Sequence, residues 1–205
     1  MATATNGIAT NGTAMLEAPG QVNVPAPVIE HATFRLEGVS PLICHKWSEK
    51  AKRAMLDKQQ KKATTGKEAK DPEKDFRDSL YEMPDGDGYG FPAIAFKAAM
   101  VRAGVYNDLK MTFLRGAFHV PGELIQIEGE PSMREDMVRV GMGTADIRYR
   151  GQFMPWAVDL PVRYNARAIS LEQVANLIVT AGFSVGVGEW RPEKDGSYGL
   201  WELAS

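Results

Sequence analysis

The chain has one cysteine, Cys44, among 205 residues. That excludes an internal disulfide framework and leaves no thiolate cluster for zinc. Cys44 sits in the apolar run PLIC, where it reads as a buried small hydrophobe rather than a reactive thiol. Carboxylates are scattered: Asp57, Asp85, Asp87, Asp136, Asp146 and Asp159 form no ligand pattern, and DGDG at 85–88 lacks the glutamate that completes a calcium loop. Neither a metal nor a cofactor is expected. No run approaches the ~20 apolar residues of a membrane span, and the N-terminus has neither the basic start nor the apolar core of a secretory signal. A soluble, cytoplasmic protein without a membrane partner is expected.

Excess positive charge is missing as well. The formal charge of -2 excludes a uniformly basic nucleic-acid binder, but it conceals an asymmetry. Between Lys46 and Arg77, nine Lys and two Arg face six Asp or Glu, a net of +5, which leaves -7 for the rest. The positive part is one contiguous segment.

Residues 1–30 are small, polar and punctuated by proline, with ATNG occurring twice. They bury too little apolar area to offset their ordering entropy, so they read as a disordered tail or an arm that orders on a neighbour. The remainder, 31–205, suits one domain. Phe34, Leu36 and Val39 alternate as a strand that Pro41 ends. Ser48 caps a helix over SEKAKRAMLDKQQKK with Trp47 before it as a staple, and ATTGKEAKDPEK reads as a charged connection. Strands at 80–83 and 89–91 flank PDGDG as a hairpin. Pro92 opens the helix AIAFKAAMVRAGV, with Ile94, Ala98, Met100, Val101 and Val105 toward the core and Lys97 and Arg102 outside.

MTFLRGAFHV, ELIQIEG, ADIRYRGQF and WAVDLPVRYN read as strands, and Arg148 with Arg150 forms an outward ridge suited to phosphate. In SLEQVANLIVTAG, Ser170 and Gln173 make a capping box, Leu171, Val174, Ala175, Ile178 and Ala181 share a face, and Gly182 stops the helix. A strand at 183–187, a glycine-rich loop and a strand at 198–203 close the chain. Helices and strands mix without βαβ regularity, so the expected class is α+β with an antiparallel sheet.

The closing stretch, AGFSVGVGEWRPEKDGSYGLWELAS, carries the strongest functional signal. Gly186, Gly188, Gly196 and Gly199 leave backbone bare for the close approach of something flat, and Arg191 and Lys194 add charge there. The competing reading is a solvated hairpin tip. Trp190 stands between that glycine run and Arg191, placed to stack on a base. Phe153, Trp156 and Tyr164 are weaker stacking candidates, with core packing the better account of each. Lys97, at a helix start, is a phosphate contact or a snorkelling surface lysine. His45, just after the first strand, is a weak catalytic candidate as general base, with His119 the other histidine to consider.

GVSPLICH, YGFPAIAFKAAMVRAG and SLEQVANLIVTAGFSVGVGEWRPEKDGSYGLWE together resemble the RAMP superfamily, the RRM-like proteins of CRISPR effector complexes, and among them Cas7-like backbone subunits. The resemblance covers most of 32–204. It implies a ferredoxin-like (RRM-like) core with helices on one face of the sheet, and an inserted strand-rich thumb at about 130–165. It implies head-to-tail assembly along single-stranded RNA or DNA, with homo-oligomers or filaments and other effector or phage subunits as partners. It assigns backbone contacts to Lys97 and the loop 186–199. The short chain and the basic insertion at about 46–77 depart from the family, and they fit a stand-alone phage-encoded relative as well as a CRISPR subunit. Three readings follow: a non-catalytic single-strand binder, a metal-independent Cas6-like endoribonuclease using His45, and an interaction protein that keeps the fold without nucleic acid.

Overall fold

The computed structural model describes residues 24–62, 69–140 and 143–204. Most of the tail expected at 1–30, and the connection at 63–68, lie outside the described residues. The chain runs β1 (Ile29–Gly38), β2 (Leu42–Ile43), α1 (Glu49–Gln59), α2 (Pro72–Asp78), β3 (Tyr81–Glu82), β4 (Tyr89–Pro92) and α3 (Ala93–Ala103). It continues with α4 (Met111–Ala117), β5 (Phe118–His119), β6 (Leu124–Ile127), β7 (Pro131–Val140), β8 (Thr144–Phe153), β9 (Ala157–Asn165), α5 (Leu171–Ser184) and β10 (Trp201–Leu203). The class is α+β: three sheets ordered β10-β1-β9-β5, β2-β8-β7 and β3-β4-β6, with antiparallel neighbours throughout. No described helix is long and apolar enough to cross a membrane.

Local chemistry sets the helix starts. The Ser48 hydroxyl accepts from the Ala51 N–H, and Ser170 and Gln173 bond reciprocally. Asp71 accepts from the Lys74 N–H with Pro72 in the first turn, so α2 forms inside what reads from sequence as a charged connection. The hairpin around PDGDG is present as β3 and β4. The longest ribbon pairs β7 with β8 from Pro131↔Phe153 to Val140↔Thr144; the residue pattern did not mark β7 as a strand, though it falls in the stretch where the resemblance implies a strand-rich thumb.

A single core joins the inner face of the four-stranded sheet to α3 and α5. Leu36, Val158, Leu160, Phe118 and Trp201 meet Phe96, Met100, Leu177 and Ile178 there. Cys44 is fully buried, and burial pushes its thiol up to about 12, away from reactivity.

Several expectations are corrected. In α3 the inward residues are Ala93, Phe96, Ala99, Met100, Val101 and Ala103, while Ile94, Ala98 and Val105 face water. The helix packs by small alanines with Phe96 as its wedge, so its buried stripe lies off the one the aliphatic residues suggest. Residues 111–117 form α4 rather than a strand. Gly182 does not stop α5, which runs to Ser184, and no strand forms at 183–187. A Cβ at Gly182 would come within 2.2 Å of the Trp201 carbonyl oxygen, so this glycine lets β10 lie against the helix. Leu171 is exposed, and Leu177 takes its place in the core.

The α3 phase is testable by denaturant unfolding. Phe96→Ala should cost about 3–5 kcal/mol through the cavity it leaves. Ile94→Ala should change stability by less than about 0.5 kcal/mol; the reverse order would refute the assigned face.

Candidate nucleic-acid interface

After α5 the backbone turns at Gly186, whose N–H donates to the Ala181 carbonyl, and then runs back alongside β2. Val187 N–H donates to Gly199 O (3.0 Å), Glu189 N–H to Ile43 O (3.1 Å), Tyr198 N–H to Trp190 O (3.0 Å) and Gly199 N–H to Pro41 O (2.8 Å). Gly186, Gly188, Trp190, Asp195 and Gly199 all hold positive φ, so the loop is a wound, self-bonded structure. Its glycines serve that winding. A Cβ at Gly188 would meet Ile43 O at 2.6 Å, and one at Gly196 or Gly199 would overlap the carbonyl of Trp190 or Val187. The Cβ side of the backbone at 186, 188, 196 and 199 is therefore filled by the protein itself, with Gly186 and Gly199 buried and Gly188 and Gly196 half-buried, which narrows the expected open platform.

Beside this loop lies a cleft of about 250 Å³ whose lining includes His45, Tyr81, Arg102, Glu189, Arg191 and Glu193. His45 Nδ1 lies 3.0 Å from Glu189 Oε1, and His45 Nε2 lies 3.4 Å from Arg148 Nη1. With its proton on Nδ1 the neutral ring would donate to Glu189 and accept from Arg148 at Nε2, and the protonated ring would keep only the Glu189 contact. The hydrogen bond from His45 holds the Glu189 carboxyl below its ordinary range; burial opposes this, and the charges of Arg150, His45 and Arg191 assist.

Arg191 donates from Nε (2.9 Å) to Glu193 Oε2 and from Nη1 (3.0 Å) to the Gly188 carbonyl. Arg102, reaching over from α3, pairs with the same Glu193. Two guanidiniums thus share one carboxylate. Burial first, and then the charge of Arg102, lowers the Arg191 guanidinium below its usual value.

Arg148 and Arg150 do share one face of β8, as their two-residue spacing requires, but Arg150 is buried there, while Arg148 is part-exposed and lies 3.7 Å from Asp146 Oδ2. Arg150 is 4% exposed, its Nη1 lies 3.3 Å from Asp136 Oδ2, and its Nε has no partner among the described residues. Arg134 completes the layer, with Nε 2.8 Å from Asp136 Oδ1 and its guanidinium 4.9 Å above the Tyr198 ring. The outward ridge is corrected accordingly: Arg148 reaches the cleft through His45, and Arg150 is structural.

Lys97 stands apart from the cleft, its Nζ 3.1 Å from Arg115 O and 2.9 Å from His119 Nδ1. Lys194 is exposed. Trp190 is 41% exposed at the loop surface, whereas Phe153, Trp156 and Tyr164 are core residues. Sequence reasoning did not single out Glu189, Glu193 or Arg102 as site residues. Glu189 meets a histidine 144 positions away, a pairing no local spacing announces. Among the described residues no group of three or more His, Cys, Asp or Glu is placed to hold a metal.

No protein-family profile matches the chain, and no characterised protein matches it by sequence. Among solved structures it is similar to Cmr6 from Pyrococcus furiosus, with 12% identity over 86% of this chain and 99% of that one at a TM-score of 0.42. It is also similar to a chain of the Type III-B Cmr-beta complex bound to cognate target RNA, with 10% identity over 86% of this chain at a TM-score of 0.46. It spans 59% of that second chain.

The His45–Glu189 pair makes a pH prediction. A carboxyl lowered by folding adds stability above its ordinary value of 4.5, and that stability disappears as pH falls through the lowered folded value. In His45→Ala the main lowering influence is gone and burial remains, so Glu189 should titrate higher than in wild type by carboxyl carbon NMR. An unchanged Glu189 titration would contradict the pairing.

Proposed function

We propose that this chain binds a single strand of nucleic acid at the cleft between His45, Arg102, Arg148 and Arg191, as a non-catalytic module. The observation that carries this is the shared carboxylate: Arg102 and Arg191 both lean on Glu193. In the cleft lining two guanidiniums, Arg102 and Arg191, share Glu193, while Glu189 is taken by His45; Arg148, behind His45, has Asp146 at 3.7 Å. A phosphodiester offers the missing acceptors in the planar geometry a guanidinium prefers. Trp190 supplies an exposed ring beside Arg191, and base stacking there is tolerant of sequence.

The fold reading goes with it. Taking β1, α3, β5, β9, α5 and β10 as the frame, the order is βαββαβ and the sheet runs 4-1-3-2, which supports a ferredoxin-like core. The β7–β8 ribbon is the natural thumb, and head-to-tail assembly along a strand is the corresponding mode of action. RNA is the first ligand to test, with single-stranded DNA beside it, because one similar assembly was determined with a target RNA.

A second reading has its own observation. With its Nδ1 proton donated to Glu189, His45 points its Nε2 lone pair at Arg148 Nη1, 3.4 Å away, a contact that must open before it can act as a base. A base next to a cation is what deprotonating a ribose 2′-OH and stabilising the resulting phosphorane require.

Fluorescence anisotropy with a labelled 30-nucleotide single strand separates the readings. Wild type should bind at micromolar protein in low salt and weaken steeply as salt rises. Arg102→Ala and Arg191→Ala should each weaken binding about tenfold. Absence of retention in low salt would overturn the proposal and leave a protein-interaction role. RNA cleaved by wild type and left intact, though still bound, by His45→Ala would establish the second reading; RNA uncut by both would remove it.

A further inference from the structure

The four-stranded sheet has a solvent face as well as a core face. On it, β9 places Arg163 directly opposite His119 of β5 and directly opposite His31 of β1. Residues opposite one another in an antiparallel pair lie on the same side with Cβ atoms about 5 Å apart. All three are exposed, while their neighbours Phe118, Val162 and Tyr164 are buried on the other side. Three basic residues therefore form one row across three strands.

Two further observations make this row unusual. Lys97 of α3 brings its ammonium 2.9 Å from His119 Nδ1, so a fourth basic group meets the row at its β5 end. No carboxylate pairs with any of the four: Arg163 and His31 make no hydrogen bond or ion pair among the described residues, and Lys97 reaches only His119 and the Arg115 carbonyl. The same face treats a cation differently two rungs away. Arg35 stands opposite Asp159 and bonds to it and to Glu128, so its charge is met within the protein. The row's two permanent cations, Arg163 and Lys97, are left without the internal neutralisation that the Arg35 rung has.

We infer that the solvent face of the β10–β1–β9–β5 sheet carries a phosphate-binding site at the row His31–Arg163–His119, closed at the β5 end by Lys97. The Arg163 guanidinium offers a planar fork for two phosphate oxygens, and Lys97 adds a point charge. His119 accepts from Lys97 at Nδ1 and so presents its Nε2 proton as a neutral donor to a phosphate oxygen. Burial, together with the charges of Lys97 and Arg163, holds His119 below its ordinary range in the free protein. The ligand is a phosphate group, either a phosphodiester of a bound strand or a free phosphate. The site is separate from the cleft and does not depend on it.

The protein's three histidines make the test clean: His31 and His119 report the row and His45 reports the cleft. Side-chain NMR of the full chain would be followed as inorganic phosphate, or a 12-nucleotide single strand, is added at constant ionic strength with chloride as the control. The inference predicts that phosphate or the strand shifts the His119 and His31 signals saturably and raises the His119 pKa. It predicts an affinity about tenfold lower in Arg163→Gln, whose fold is checked by an unchanged His45 signal in the free protein. Response to both ligands identifies a general phosphate site, and response to the strand alone identifies a phosphodiester site. A strand that moves His45 alone overturns this site and leaves the cleft reading standing. Silence of His31 and His119 toward both ligands, or an undiminished response in Arg163→Gln, overturns it as well.

Discussion

The bond from the Glu189 N–H to the Ile43 carbonyl, with its companion from the Gly199 N–H to the Pro41 carbonyl, ties the C-terminal loop to β2 and the residue before it, while Val187 N–H to Gly199 O closes the loop on itself. Everything in the cleft depends on that tie. It sets Glu189 beside His45, two residues past β2, and carries Arg191 and Glu193 to the end of α3 where Arg102 waits. Positive φ at Gly186, Gly188 and Gly199 is the local condition for the path, because a Cβ at Gly188 or Gly199 would collide with the carbonyls of neighbouring chain. The loop is thus both the end of the fold and the wall of the site.

Behind that wall lies a polar layer. Arg134, Asp136 and Arg150 form a connected set between the β7–β8 ribbon and the loop, with Arg134 resting on Tyr198. A buried guanidinium is costly to desolvate, and Asp136 offsets this with a hydrogen-bonded opposite charge. Removing Asp136 alone would leave two cations facing each other. The layer also reaches the cleft, since the charge of Arg150 helps keep Glu189 ionised. The ribbon and the site are therefore electrostatically one unit.

The sequence made much of this legible where the signal was local. The capping box at Ser170 and Gln173, the cap at Ser48, the PDGDG hairpin and the buried Cys44 all follow from short-range chemistry, and so does the α+β class. It was less legible where packing decides. The inward face of α3 follows its alanines and Phe96 rather than Ile94, with Val105 past the helix end, because α3 packs against α5. Gly182 looked like a stop and is a point of contact with Trp201. The glycines of the loop looked like an open platform and are wound against carbonyls. For the candidate site, Arg148, Trp190 and Arg191 stood among the sequence's binding candidates and His45 as a catalytic one, whereas Glu189, Glu193 and Arg102 did not, since each acquires meaning only from a partner distant in sequence. The row of His31, Arg163 and His119 is of the same kind: three strands must be in register before it exists.

The cleft and the row lie on either side of α3, which contributes Arg102 to one and Lys97 to the other. The central claim, that a strand lies in the cleft walled by the C-terminal loop, is tested most directly by amide hydrogen exchange with and without a long single-stranded RNA. The account predicts that binding slows exchange in peptides covering 186–198 and in the stretch around His45. Protection confined to other parts of the chain, with 186–198 exchanging at its free rate while RNA is bound, would contradict it.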